Sequence, residues 1–333
     1  MEHTKIIKDI QSGKIAPVYL LHGDEPYYID LISKTIEKNA LQDHERDFNE
    51  FIFYGKDADI EQVIASAKEF PMMAERKLVV IREAQGLHAS THEKLELYCN
   101  NPVSTSVLVL DFKGKKIAKN TKFYKAAAKA GIVFESVGIP DYKIPGWIKD
   151  YCNGKNLKID DKSTFLLSEN LGTDLSRIVN ELEKLTIIVD DGHTITPEII
   201  EENIGISKDY NFFELSNAIA ERNAEKASRI VYYFEKNPKA GPLTVIISNI
   251  FGTFEKILRI HFLKDKSTNV VMSSLRVPQF IAKKYMSAAS FYNMKKCAHN
   301  IEILIEYEKK SKGVDGTTMK HEELKEMIFR LMH

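Results

Sequence analysis

The stretch Ala16–Asp30, APVYLLHGDEPYYID, decides the fold. Pro17–His22 is a compact apolar run closed by glycine, the signature of a buried strand. Gly23-Asp24-Glu25-Pro26 turns the chain, and Tyr27–Asn39 reads as a helix. Strand, glycine, helix is the setting of a phosphate-binding loop. That motif, G-x-x-x-x-G-K-[ST], uses glycines to bring backbone N–H groups to phosphates, a lysine for the β/γ-phosphates and a hydroxyl for magnesium. Laid on it from Gly23, the second glycine position holds Tyr28, the lysine position Ile29 and the hydroxyl position Asp30. Tyr28 is bulky, Ile29 has no charge, and Asp30 repels a phosphate. An α/β domain that never bound nucleotide would give the same local pattern, so the motif alone leaves two histories open.

Working outward, further strands are predicted at Asp47–Tyr54, Lys77–Ile81, Val107–Leu110 and Ile132–Glu135. Helices are predicted between them at Ala58–Phe70, His92–Tyr98 and Asn120–Ala130. Apolar strands alternating with helices make a mostly parallel sheet covered on both faces, with any ligand at the C-terminal strand ends. After Leu78-Val79-Val80-Ile81, where a metal-binding acid would follow, stand Arg82 and then Glu83. Both departures point away from ATP hydrolysis. Ile139–Pro145 reads as a linker. Beyond it come four short helices, at Gly146–Asn153, Asp161–Leu171, Asp174–Ile187 and Pro197–Ile204. Asp174 is the expected N-cap of the third, with Leu175, Ile178, Leu182 and Leu185 as its apolar stripe. From Phe212 nearly everything reads helical, with breaks at Asn237-Pro238 and Ser267–Arg276. The predicted fold class is α/β plus all-α, in three domains: 1–140, 141–208 and 209–333.

The 333 residues balance 47 Lys and Arg against 47 Asp and Glu, so a chain-wide basic field for nucleic acid is excluded while a local patch is not. Three dispersed cysteines, Cys99, Cys152 and Cys297, give no disulfide framework or zinc spacing, and fit a reducing cytoplasm. The N-terminus lacks a signal-peptide core, and no run reaches the length of a membrane span. The histidines His22, His88, His92 and His193 show no metal-ligand spacing, and His22 reads as a strand-end residue. No metal or other cofactor is expected.

Two other features could work. Phe70-Pro71-Met72-Met73 closes the helix that starts near Ala58. Two adjacent methionines either cap the core under Leu78–Ile81 or form an adaptable apolar plug. Lys115, Lys116, Lys119, Lys122, Lys125 and Lys129 lie in a stretch that runs without an acid from Asp111 to Glu135, with Lys113 just before them. They make either a solvated helix face or a phosphate-contacting surface. Arg177 occupies a place suited to a nucleotide sensor, though an ion pair is its expected role here.

The segments APVYLLHGDEPYYID, FPMMAERKLVVIREAQ, LGTDLSRIVNELEKL and ITPEIIEENIG, in this order, resemble the delta subunit of bacterial DNA polymerase III. The likeness continues more loosely through FFELSNAIAERNAEKASRIV and PLTVIISNIFGTFEKIL. The resemblance implies a RecA-like AAA+ parallel-sheet domain, a small helical lid and a C-terminal helical collar. It implies a clamp-loader subunit that opens the sliding clamp (the beta subunit) without binding ATP and without intrinsic catalysis. Its partners would be gamma/tau and delta-prime type subunits through the collar, with primer–template DNA contacted weakly. It implies that the two apolar residues before Ala74-Glu75-Arg76, here Met72 and Met73, enter an apolar pocket of the clamp, in a family where the pair is more often Leu-Phe-like. Two readings compete with it: an active AAA+ ATPase with an unusual loop, and a stand-alone DNA-binding module.

Overall fold

The computed structural model describes residues 2–189, 193–314, 316 and 318–333. They form two compact units, 1–139 and 140–333.

In the first unit five strands make one parallel sheet: β1 (Val18–Gly23), β2 (Glu50–Tyr54), β3 (Lys77–Arg82), β4 (Ser106–Lys113) and β5 (Ile132–Ser136), in the order β2-β3-β4-β1-β5. The three central strands are buried along nearly their whole length, as continuous apolar runs covered on both faces must be. Six helices accompany them: α1 (Glu2–Gln11), α2 (Pro26–Ala40), α3 (Arg46–Asn49), α4 (Ile60–Lys68), α5 (Thr91–Asn100) and α6 (Lys122–Ala130). On one face Val18, Leu20, Val79, Ile81, Leu108 and Leu110 pack with residues of α4, α5 and α6. Successive strand residues point to opposite faces. Asp111 therefore looks away from Leu110 and Phe112, toward α2, where Ser33 meets it.

Local chemistry sets the helix starts. Asp59 caps α4 through the N–H of Glu61, and Thr121 caps α6 through the N–H of Tyr124. Two expectations need correction. Residues 47–49 do not extend β2: Arg46–Asn49 is a short helix. The helix predicted over Ala58–Phe70 stops at Lys68, so Phe70–Met73 lies in the irregular segment before β3. Helix α1 has no counterpart in the sequence reading.

The second unit begins with a single 3₁₀ turn at Asp141–Lys143 where a linker was expected, and helix α7 (Ile144–Gly154) follows at once. Helices α8 (Asp161–Leu171), α9 (Leu175–Ile188) and α10 (Pro197–Ile204) succeed it. Asp174 caps α9 by accepting from the N–H of Arg177, and Leu175, Ile178, Leu182 and Leu185 are buried. The Arg177 side chain is exposed and has no ion pair among the described residues, contrary to expectation. Two short strands, β6 (Lys158–Ile159) and β7 (Thr194–Ile195), pair in parallel where only helices were predicted. Among the described residues seven more helices follow: α11 (Phe212–Ala220), α12 (Ala224–Lys236), α13 (Leu243–Phe262), α14 (Thr268–Leu275), α15 (Gln279–Phe291), α16 (Met294–Ser311) and α17 (Leu324–Met332). They share one apolar core, which includes Phe234, Phe254, Tyr292 and Tyr307. Helix α14 occupies the stretch read as a break, because Val271 and Leu275 are buried in that core. Among the described residues no helix is long and apolar enough to cross a membrane.

Candidate functional site

The turn after β1 is the natural place to look for a phosphate cradle. Gly23 has φ 131°, open only to glycine, and a Cβ there would lie 2.0 Å from the Ser136 carbonyl oxygen. The turn's main-chain donors point inward. Gly23 N–H bonds the Lys115 carbonyl at 3.0 Å, and Asp24 N–H bonds the Ser136 carbonyl at 2.8 Å. Ser136 Oγ returns a bond to the Glu25 carbonyl at 2.7 Å, and Glu25 Oε1 accepts from Tyr27 N–H at 2.9 Å. Helix α2 already begins at Pro26, so the loop is cut to Asp24 and Glu25. A phosphate-binding loop needs four residues between its glycines and free N–H groups directed at the ligand.

The motif positions sit accordingly. Tyr28 is buried, with its ring 4.2 Å from that of His3 on α1. Ile29 is wholly buried and faces the core. Asp30 points to the strand ends, where it meets Lys113 at 2.7 Å. The same ammonium holds Glu83 at 3.0 Å. A P-loop ATPase would bring its hydroxyl and its acidic motif together on magnesium at these two positions; here they converge on a lysine. Burial pulls the Lys113 ammonium down, but its bonds to Asp30 and Glu83 outweigh that and hold it above the usual lysine range. For Glu83 burial pushes upward, and Lys113 with Gln85 overcomes it to leave the carboxyl below its ordinary value. Arg82 turns to Glu37 of α2 at 2.8 Å, a bond that raises the guanidinium further. Thus Gly23 and Arg82 end the strands β1 and β3 on either side of β4, whose Lys113 draws Asp30 and Glu83 into one ion-pair network, while Arg82 pairs separately with Glu37. Lys113 belongs to that network, and its neighbours in the basic stretch do not share its surroundings.

Beneath lies Asp111, buried on β4. Ser33 Oγ donates to its Oδ2 at 2.8 Å, and its Oδ1 has no hydrogen-bond partner among the described residues. Burial pushes this carboxyl up to about 7. His22 is also buried; its Nδ1 accepts from Ile117 N–H at 3.3 Å, and burial lowers its basicity. Among the described residues no group of three or more His, Cys, Asp or Glu side chains could hold a metal.

The segment before β3 is different in kind. Phe70 is 81% exposed, Met72 59% and Met73 99%, with Pro71 half-buried between them. The methionines do not cap the core under Leu78–Ile81. Met73 has φ 51°, a left-handed conformation unusual for methionine. The main chain of Met72 is held by Asn49, a buried residue of α3: Met72 N–H donates to Oδ1 at 2.8 Å, and Nδ2 donates to the Met72 carbonyl at 2.9 Å. Asn49 went unnoticed in the sequence because it fell inside a predicted strand. Its residue type was the available signal, since asparagine is depleted both in strands and in cores.

The basic stretch divides. Lys116 pairs with Asp24, and Lys119 pairs with Glu135 at 3.0 Å. Lys115 is exposed beside Gly23, to which it gives its carbonyl. Lys122, Lys125 and Lys129 stand exposed along α6 with no ion pair among the described residues.

Comparison with known proteins assigns the whole. The family model described as "DNA polymerase III, delta subunit" matches residues 19–137, and that of the delta subunit's C-terminal domain matches 209–330. A model described as a middle domain matches residues 144–202. The chain is 25% identical over 317 residues to DNA polymerase III subunit delta of Bacillus subtilis, covering 91% of this chain and 90% of the relative. In structure it is similar to the DNA clamp loader delta protein of Bacillus subtilis, with a TM-score of 0.58 and 24% identity over 99% of both chains. By these matches, on a parallel-sheet unit followed by a helical one, the chain belongs to the DNA polymerase III delta subunit family.

Proposed function

We propose that this chain is the subunit of a DNA polymerase III clamp loader that binds the sliding clamp through Phe70, Pro71, Met72 and Met73 and opens the ring without binding ATP itself. The carrying observation is the exposure of the two methionines, 59% and 99%, on a segment whose main chain is fixed. Flexible thioethers fit an apolar pocket without a demanding shape. The mechanism uses binding energy alone. A closed ring and an open ring differ by a limited free energy, and a partner that prefers the open interface shifts the equilibrium by its differential affinity. The ATP that times the cycle would bind on other loader subunits, gamma/tau and delta-prime in type, joined through a helical collar at 209–333. In this division 1–140 carries the clamp-binding element and 141–208 is the lid.

The short, internally bonded turn after β1 favours this reading over an active ATPase. The balanced net charge disfavours a stand-alone DNA-binding module, although Lys122, Lys125 and Lys129 suit a phosphate contact made within the assembled loader.

The test is capture of the cognate sliding clamp by the full chain. Burying two methionine side chains contributes several kcal/mol at about 1.5–3 kcal/mol each. Met72→Ala with Met73→Ala should therefore weaken binding at least about a hundredfold and leave circular dichroism and thermal midpoint unchanged. Wild-type affinity in the folded double variant would refute the reading.

A further inference from the structure

Asn49 is a buried polar residue whose carboxamide serves a stretch far along the chain. One acceptor and one donor face the N–H and the carbonyl of a single residue, Met72, at 2.8 and 2.9 Å. A second Nδ2 hydrogen goes to the Glu45 carbonyl at 2.9 Å, which fixes the amide's orientation. The carboxamide thus imitates one rung of a β-ladder. Residues 70–76 have no helix or strand of their own, and among the described residues these two bonds are their sole hydrogen-bonded tether. Met73, next in line, holds a left-handed φ of 51° while 99% exposed. Such a conformation persists only where the surrounding structure imposes it, and nothing packs over the Met73 side chain to do so.

We infer that Asn49 is the positioning residue of the apolar plug: it holds the Met72 main chain in the one geometry that projects the Met72 and Met73 side chains together. The inference rests on the clamp-binding reading and adds a residue outside the plug. Without the latch the segment samples many conformers, and apparent affinity falls by the fraction that remains competent. The loss then appears in association, because the contacts made once bound are unchanged.

The experiment measures association and dissociation rates of the full chain on the immobilised cognate sliding clamp. Asn49→Asp is nearly isosteric; it keeps the acceptor for Met72 N–H and, ionised at mildly alkaline pH, loses both Nδ2 bonds. Asn49→Ala loses all three. Both should bind about tenfold more weakly or worse, with the change in the association rate. A defect of general packing in a variant that remains folded would not move association selectively. A folded Asn49→Asp chain with wild-type association and dissociation rates overturns the inference. A measurement on the unaltered chain applies even if the variants do not fold: the Met72 amide should be protected from hydrogen exchange, and exchange at the rate of an open loop also overturns it. If Met72→Ala with Met73→Ala binds like wild type, the plug reading itself has failed; if that variant loses binding while Asn49→Asp retains it, only the role of Asn49 has.

Discussion

Replacing Asp111 by asparagine should flatten a pH dependence of stability that the wild-type chain carries. Asp111 is 1% exposed, bonded by Ser33 Oγ at 2.8 Å and otherwise enclosed. Burial raises its carboxyl from 3.8 to about 7, against the opposing pulls of Ser33 and Lys113. A rise of about three units corresponds to about 4 kcal/mol at about 1.4 kcal/mol per unit. The folded value lies above the unfolded one, so the native chain holds a proton that the unfolded chain releases. The stabilisation is complete below about pH 4 and is lost progressively as pH rises through about 7. Above that the ionised carboxylate is a burden of the native state. The carboxamide of Asp111→Asn cannot ionise, and its oxygen can still accept from Ser33. Its Nδ2 adds a buried donor that shifts stability by a constant amount, so the slope is the readout and the offset is not. Urea unfolding of both chains between about pH 5 and pH 8 should give a difference that grows with pH in favour of the variant, by about 2.5–3 kcal/mol across that interval. Parallel curves over that interval would refute the assignment of the buried acid.

Lys113→Met should destabilise the first unit by about 1–2 kcal/mol at neutral pH, discounted for partial exposure, because Asp30 and Glu83 lose their shared cation. Glu83 is held below its ordinary value, so that support is present above the carboxylate range and lost as pH falls through it; denaturant curves should show wild type and variant converging in acid. Replacing Lys122, Lys125 and Lys129 together by alanine should lower the salt slope of primed-DNA binding by the assembled loader by about 2 to 3. An unchanged slope would mean that these lysines only solvate the face of α6.

The sheet was legible because parallel strands buried on both faces must be nearly continuous apolar runs, and PVYLLH, KLVVI and VLVL are such runs. What escaped depended on tertiary context. Asp47–Asn49 carries strand-like neighbours, yet it coils into a turn of helix that brings Asn49 under Met72. Thr268–Leu275 is rich in Ser, Thr and Asn and read as a break; the burial of Val271 and Leu275 makes it a helix. At the strand ends, the missing side chains could be read from the motif positions. The fate of Lys113 could not, because its neighbours in sequence are surface lysines while its neighbours in space are Asp30 and Glu83. The methionine pair divided in the same way: its two residues were visible, but the bond from the Met72 main chain to a residue 23 positions away was not.

The tightness of the turn after β1 sets a barrier to any phosphate loop at this place. Writing glycine, lysine and threonine at positions 28, 29 and 30 would supply the letters of a phosphate loop and nothing else. Position 29 points into the core, so a lysine there would be trapped under the sheet. The donors that should meet an anion are committed to Ser136 and Lys115, and β5 lies so close to Gly23 that the turn has no room to swing outward. A phosphate loop here would require residues inserted between Gly23 and Pro26 and a strand moved, which no single substitution achieves. The obstacle lies in the main chain, and replacing side chains at the loop positions leaves it in place.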